Sequence, residues 1–535
     1  MIFFLVVLIY AVGIRVGTYK IFEKRGIPGW KAFVPILCSL EWQKLIDKPT
    51  WWTIMLFIPG VNLFYWAGQL TRMSTAHGRT SFLDHTLAIL AAPLYWPWLG
   101  LNDQIKYISP TGLKPGQKPL PKGTVREWAD ALIFALVAAY LLRMFVFEAY
   151  TIPTPSMEKT LLVGDFLFVS KFHYGARIPQ TPLALPLLHH SLPYSTTQSY
   201  LEWIKLPYMK LPALQKVKRY DMVVFNFPAG DTVALQMQDV TYYNLVRAAA
   251  YRLAQMGDKT TNPIDMVKQE FHTEIKARPV DKRENYIKRC VAIPGDKLEM
   301  KNGTLYINDK KAYEPENIYL PYVVTVQDGL NVTMAQLSDY DVEDMSGNFS
   351  LPNGHNNNIL ILRMTNETVD KFKKFSWVKD IRQFTYPPND PMEPVADVFP
   401  NDFKYYHWNI DNFGPILIPH KGGTLQLNDS TLCQYRRLIE IYEGNKLEEK
   451  DGKIFINGKE TTQYTCKMDY YWMMGDNRSN SADSRFWGFV PEDHIVGKAW
   501  FIWLSINYKA DDLLHKIRWN RILTNIHNKW APKSE

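Results

Sequence analysis

Residues 51–70, "WWTIMLFIPGVNLFYWAGQL", run for twenty positions without one charge. An apolar run of about 20 residues is the length that a helix needs to cross the hydrocarbon layer of a bilayer. Three other segments share this character. Residues 2–14, "IFFLVVLIYAVGI", carry no charge before Arg15. They lack the basic n-region and small-residue cleavage site of a secretory leader, so an uncleaved anchor is expected. Residues 86–101, "TLAILAAPLYWPWLGL", are short and hold Pro93 and Pro97. Trp128 to Phe147, "WADALIFALVAAYLLRMFVF", places Asp130 and Arg143 near its ends, where such side chains reach for the interface.

The basic residues orient these segments. Seven lie between Arg15 and Lys48, two (Arg72 and Arg79) between residues 71 and 84, and five between Lys106 and Arg126. Lys and Arg accumulate on the cytoplasmic side, so the first and third loops are expected there, with four spans leaving the N-terminus and everything after Phe147 outside. The net charge of +8 therefore reads as membrane topology rather than nucleic-acid binding. The expected organisation is a membrane region over 1–126 with about three apolar segments, a transmembrane anchor over 127–148 and an exported domain over 149–535.

From residue 149 the chain changes to short alternating runs broken by Gly, Pro and Asn: "DFLFVSKF", "DMVVFNFP", "YIKRCVAIPGD", "KAWFIWLSI". Alternation between turn residues predicts β-strands. "GDKLEMKNGTLYINDK" from Gly295 matches "GNKLEEKDGKIFINGK" from Gly444 at nine of sixteen positions. Each has an Asn-Gly or Asp-Gly dipeptide between apolar runs, the signal of a tight hairpin. Three insertions interrupt the strands, over 173–218, 232–283 (with one helix expected around "YYNLVRAAAYRLAQM") and 309–440. They carry no legible chemistry and are expected to decorate the core. The four cysteines form no CxxC; Cys433 and Cys466 are either bridged or free.

No GxSxG elbow, HExxH helix or P-loop occurs, and the twelve histidines form no constellation. What remains is a serine and a lysine. Ser156 lies in "IPTPSM", where two prolines restrict the backbone. Lys288 lies in the apolar run "YIKRCVAIPGD", where alternation puts it on one face with Tyr286 and Cys290 and turns Arg289 away. A lysine in apolar surroundings loses hydration, its pKa falls, and the neutral amine can deprotonate a serine. A third segment, "YYWMMGDNRSNSADSRFWGFVPEDHIVGKAW", concentrates small hydroxyl and carboxylate groups between apolar runs, as a loop orienting a neighbouring group would.

Together these segments resemble the bacterial type I signal peptidases (leader peptidases), membrane-bound enzymes that remove signal peptides from exported proteins. The resemblance covers Glu127 to Lys171, Arg219 to Phe227, Tyr286 to Met300 and Tyr471 to Ile506. It implies a mainly β catalytic domain with large insertions, joined to N-terminal transmembrane α-helices. By the same resemblance Ser156 would be the nucleophile and Lys288 the general base, Ser481 would hold the Lys288 amine, and Asp483 and Arg485 would support that loop. Thr154 would assist an oxyanion hole beside the Ser156 N–H. Tyr150, Ile152, Pro153, Leu161, Leu167, Val224, Tyr286 and Ile287 would line shallow substrate pockets suited to Ala-X-Ala sites. The implied partners are secretory preproteins and the lipid bilayer, with no nucleic acid, cofactor or metal. The implied location is the bacterial inner (plasma) membrane, multi-pass, with the catalytic domain on the outer, periplasmic face.

The chain departs from the family pattern at Lys159, where proline is usual, at Tyr220, where glycine is usual, and at Ser479, where aspartate is common. Two other readings start from the same residues. One is a binding or assembly factor without turnover, against which the intact Ser156, Lys288 and Ser481 set argues. The other is a soluble self-cleaving repressor, against which the apolar segments argue.

Overall fold

The computed structural model describes the chain apart from residues 1, 59–60, 114–123, 186–187, 193–194, 196, 239, 329–331, 333–336, 338–339, 341, 346–357, 390–397, 511 and 533–535. Two compact units form, Met1–Leu142 with Pro179–Pro207, and Arg143–Ile178 with Tyr208–Glu535.

The first unit is helical. Helix Ile2–Lys24 packs on Ala92–Leu101 through glycines: a Cβ on Gly17 would stand 2.1 Å from the Trp96 carbonyl oxygen, and one on Gly100 would stand 2.4 Å from that of Gly17. Trp42 and Trp96 stack at its centre with ring centroids 5.3 Å apart. Two expected spans are corrected here. Residues 51–70 are not one helix but a 3-10 segment Thr50–Phe57 followed by helix Val61–Ala76. Pro59, which lies outside the described residues, cannot donate a helical hydrogen bond and sits at that junction. Residues 86–101 divide at Ala91 into helices Phe82–Leu90 and Ala92–Leu101, with Pro93 just inside the second. Helix Ile2–Lys24 is continuous, but its C-terminal half carries Arg15, Lys20, Glu23 and Lys24. Arg15 lies over the Trp66 ring and donates to the Ala32 carbonyl. Helix Thr124–Phe145 overlaps the segment expected as a transmembrane anchor over 127–148 but does not qualify as a span, and the basic loop before it lies partly outside the described residues. Among the described residues no helix is long and apolar enough to cross a membrane.

The second unit is mainly β. Its principal sheet is antiparallel, in the order Phe147–Thr151, Asp165–Ser170, Ile495–Ser505, Met222–Asn226, Asn285–Ala292, Tyr470–Met474, Val490–Pro491, with Thr524–Asn525 paired to Ile495–Ser505. Strand Met222–Asn226 is buried along its length because both faces of the sheet are covered. Met222 and Val224 join Leu167, Val169 and Ile502 on one side, while Val223 and Phe225 join Tyr174, Cys290 and Met473 on the other. The repeated motif forms two hairpins, Lys297–Lys301 with Thr304–Ile307 and Leu447–Lys450 with Lys453–Ile456. Asn302, Gly303, Asp451 and Gly452 all have positive φ, as the two-residue turn requires.

The insertions hold more structure than their composition suggests. Residues 232–283 contain two helices rather than one, Tyr242–Gln255 and Pro263–Glu270, the second opened by the Asn262 cap and Pro263. Within 309–440, strands Glu343–Asp344, Ile359–Met364, Leu320–Val326 and Val378–Gln383 make a separate sheet. Its core includes Leu320, Tyr322, Val324, Leu362, Met364 and Phe372. Cys38, Cys290, Cys433 and Cys466 are all free thiols.

Candidate active site

Ser156 is presented by a single 3-10 turn, Pro155–Met157, that follows the first strand of the principal sheet. Thr154 enters the turn in extended conformation and Pro155 supplies the φ that starts it. The turn is tied down from both sides. Ile152 donates to the Asp165 carbonyl (2.9 Å) and Glu158 to that of Pro155 (2.9 Å). Met157 and Leu161 are fully buried beneath it.

Lys288 reaches this turn from the centre of the sheet. Its strand is paired with Met222–Asn226 so that Lys288 faces Val223, and with Tyr470–Met474 on the other side. Tyr286, Lys288 and Cys290 share one face, as alternation predicts. Lys288 Nζ lies 5.6 Å from the Tyr286 ring centroid and 2.5 Å from Ser156 Oγ. Ser156 is 8% exposed and Lys288 3%. Burial disfavours the ammonium and lowers its pKa from the ordinary 10.5 to about 8, although Asp483 and Asp476 pull it upward.

Arg289, on the opposite face, forms a bidentate pair with Asp476, Nε to Oδ1 at 2.8 Å and Nη2 to Oδ2 at 2.6 Å. Thr160 also donates to Asp476 Oδ2 at 2.6 Å. Burial works against the Asp476 carboxylate, but Arg289 and Thr160 outweigh it and hold the pKa below the usual range. Asp483 is held in the same way. Arg485 donates to it from Nε and Nη2, both at 2.8 Å, and the Gly475 N–H does so at 3.0 Å, so its pKa also stays low despite burial.

The loop between these two carboxylates grips the Ser156 turn. The Asn477 N–H donates to the Ser156 carbonyl at 3.1 Å and Asn477 Nδ2 to that of Pro155 at 3.0 Å. Gly475 permits the approach, because a Cβ there would stand 2.2 Å from Ser481 Oγ and 2.5 Å from the Ser156 carbonyl oxygen. Ser481 Oγ is buried beside the Asp483 carboxylate yet reaches no partner in hydrogen-bond geometry. Its expected bond to the Lys288 amine is not among the described hydrogen bonds.

Tyr150, Ile152, Leu161, Leu167, Val224 and Ile287 fall in one apolar cluster. Leu161, Leu167 and Val224 form its buried floor, with Tyr150 and Ile287 only partly covered. Tyr286 lies on the other face against Phe227 and Trp487, while Pro153 and Thr154 are exposed. Among the described residues no group of three or more His, Cys, Asp or Glu is placed to hold a metal. Sequence reasoning gave no role to Arg289 or Thr160, and took Gly475 and Asn477 only as members of the orienting loop. The available signal was Arg289 itself, since an arginine turned into the far face of a buried strand needs a carboxylate.

The signal peptidase, peptidase S26, family profile matches residues 125–356 and 417–504, and a family of unknown function, DUF5684, matches residues 30–110. The chain is 25% identical over 410 residues to signal peptidase I of Haemophilus influenzae, covering 76% of this chain and 77% of that protein. It is 22% identical over 416 residues to signal peptidase I of Helicobacter pylori strain 26695, covering 75% and 91%. It is 30% identical over 139 residues to signal peptidase I of Leptolyngbya laminosa, covering 22% of this chain and 67% of that protein.

Proposed function

The chain belongs to the signal peptidase family, peptidase S26, and from that premise we propose that it is a serine endopeptidase cutting N-terminal signal peptides from exported preproteins after small residues, with Ser156 as nucleophile and Lys288 as general base. The observation that carries the reading is the 2.5 Å approach of Lys288 Nζ to Ser156 Oγ in surroundings that lower the lysine pKa to about 8. At that value roughly one lysine in ten is neutral at pH 7, against fewer than about one in a thousand for a free side chain.

Neutral Lys288 takes the Ser156 proton as Oγ attacks the scissile carbonyl, and the resulting ammonium returns that proton to the leaving amine. Water then enters by the same route, Lys288 acting as base a second time, and the acyl group leaves as a carboxylate. The developing oxyanion falls to the Ser156 N–H and the Thr154 hydroxyl. Ser481, whose Oγ is buried without a partner, would turn to the amine to steady it, and Asp483 with Arg485 keeps the Ser481 loop in place. Tyr150 and Ile287 close over the apolar floor as walls for small side chains, with Ile152, Pro153, Leu161, Leu167, Val224 and Tyr286 completing the cleft. An extended preprotein segment gains main-chain bonds along strand edges.

In this reading the exposed apolar face of helix Thr124–Phe145 holds the chain at the membrane. Trp128, Leu132, Phe134 and Leu136 on it are exposed, and Ser156 follows it after a single strand. The catalytic domain then works on the outer, periplasmic face of the inner membrane, where cleavage sites emerge. The full chain purified in detergent is expected to cut a preprotein carrying an Ala-X-Ala site immediately after that site, and Ser156→Ala is expected to leave it intact. Binding of the preprotein by wild type without any cut would overturn the reading.

A further inference from the structure

The insertion over 309–440 touches the catalytic loop through contacts that its polar composition did not announce. Tyr319, at the start of the insertion sheet, forms a parallel bridge with Asn477. The Tyr319 N–H donates to the Asp476 carbonyl at 2.9 Å and the Arg478 N–H to that of Tyr319 at 3.2 Å. Asn477, held between these bonds, is the residue whose backbone and side chain bind the carbonyls of Ser156 and Pro155. Beside this bridge, Arg363 projects from strand Ile359–Met364. Its side chain is only 4% exposed, donates from Nε to Ser479 Oγ at 2.8 Å and pairs through Nη1 with Glu343 at 2.6 Å. The Tyr319 ring also receives Lys159 Nζ at 4.5 Å from its centroid, and Lys159 belongs to the segment directly after the nucleophile turn.

We infer that Arg363 is a positioning residue for cleavage: through Ser479 it fixes the 475–481 loop, and through Asn477 that loop fixes the Ser156 turn. The inference rests on the peptidase reading above and adds to it a brace supplied by the insertion. Arg363 lies between the two stretches matched by the family profile, 125–356 and 417–504. A buried guanidinium with one exposed carboxylate partner and one hydroxyl acceptor uses directional bonds, which suits holding a loop in register. Because rate depends steeply on the placement of the attacking atom, a shift of about 1 Å in the turn costs on the order of a hundredfold.

The test compares Arg363→Met, Ser479→Ala and Ser479→Asp with wild type in the full detergent-solubilised chain, reading kcat, KM, thermal midpoint and amide hydrogen exchange over 475–485. Ser479→Ala removes the acceptor without disturbing the insertion core and so remains informative if Arg363→Met folds poorly. Expected are a kcat lower by roughly tenfold to a hundredfold, an unchanged KM, and faster exchange over 475–481. Ser479→Asp should keep near wild-type kcat while Arg363 is present and lose it in the Arg363→Met background. Variants that keep kcat within twofold with unchanged exchange would overturn the inference, as would a kcat loss matched by an equal loss of folded protein. A wild type that cuts no preprotein, while exchange over 475–481 still depends on Arg363, would sink the peptidase reading and leave the brace standing.

Discussion

Replacing Lys288 by methionine should abolish cleavage and make the protein more stable. The side chain is almost wholly buried, and burial is the main cause of its lowered pKa. A fall from 10.5 to about 8 corresponds to about 3 kcal/mol by which the folded state disfavours the ammonium, at about 1.36 kcal/mol per pH unit. The sign follows from proton binding. Below pH 8 the folded and unfolded chains both carry the charge, so the folded state bears the whole cost. Between pH 8 and 10.5 the unfolded chain keeps a proton that the folded chain has released, and the cost shrinks with rising pH. Lys288→Met keeps an unbranched stem and removes the charge. It should therefore gain about 3 kcal/mol at pH 7, about 2 at pH 9 and close to none above pH 10.5, while kcat falls on the order of a thousandfold or more. Urea titrations of the detergent-solubilised chain at these pH values measure the difference. A methionine variant no more stable than wild type at pH 7, or a gap that does not narrow with pH, would refute the burial argument.

The remaining predictions concern the same loop. For wild type, kcat/KM should rise with pH along a limb centred near 8, because the free enzyme must hold Lys288 neutral. Arg485→Met should move that limb upward, since Arg485 both repels the ammonium and neutralises Asp483; a limb that stays in place would mean the two charges are not coupled. Gly475→Ala should lower kcat at least about tenfold without unfolding, because its Cβ would fall 2.2 Å from Ser481 Oγ and 2.5 Å from the Ser156 carbonyl oxygen. Wild-type kcat in that variant would show that the loop has slack.

Local patterns made much of the second unit legible. The strands around Phe166, Val224, Lys288 and Phe501 followed from alternation, and both hairpins from an Asn-Gly or Asp-Gly dipeptide. The face of Lys288 followed from the same period of two. What failed was long-range or depended on breaks inside apolar runs. Residues 51–70 are apolar enough for one helix but fold as a 3-10 segment and a separate helix, and residues 86–101 divide at Ala91, just before Pro93. The second helix of the 232–283 insertion was announced by Asn262-Pro263, a cap and a first-turn proline that composition alone hid. Tyr319 and Asn477 are far apart in sequence, and a single bridge between them leaves no periodic trace.

The neighbours Lys288 and Arg289 show why both halves of the site are needed. One residue apart on a strand, they point to opposite faces, so two buried cations meet different fates. Arg289 finds Asp476 in a bidentate pair, with both side chains 1% exposed. Asp483 is likewise taken by Arg485. With each loop carboxylate engaged by its own arginine, no described ion pair includes Lys288, and burial prevails over the two attractions that would hold its proton. A pocket without those carboxylates would lose the hydrogen bonds that order the 475–485 loop. A pocket with the carboxylates but without the arginines would restore the ammonium and remove the base. The two buried pairs therefore order the loop and, by the same contacts, leave the lysine free for the base role proposed for it toward Ser156.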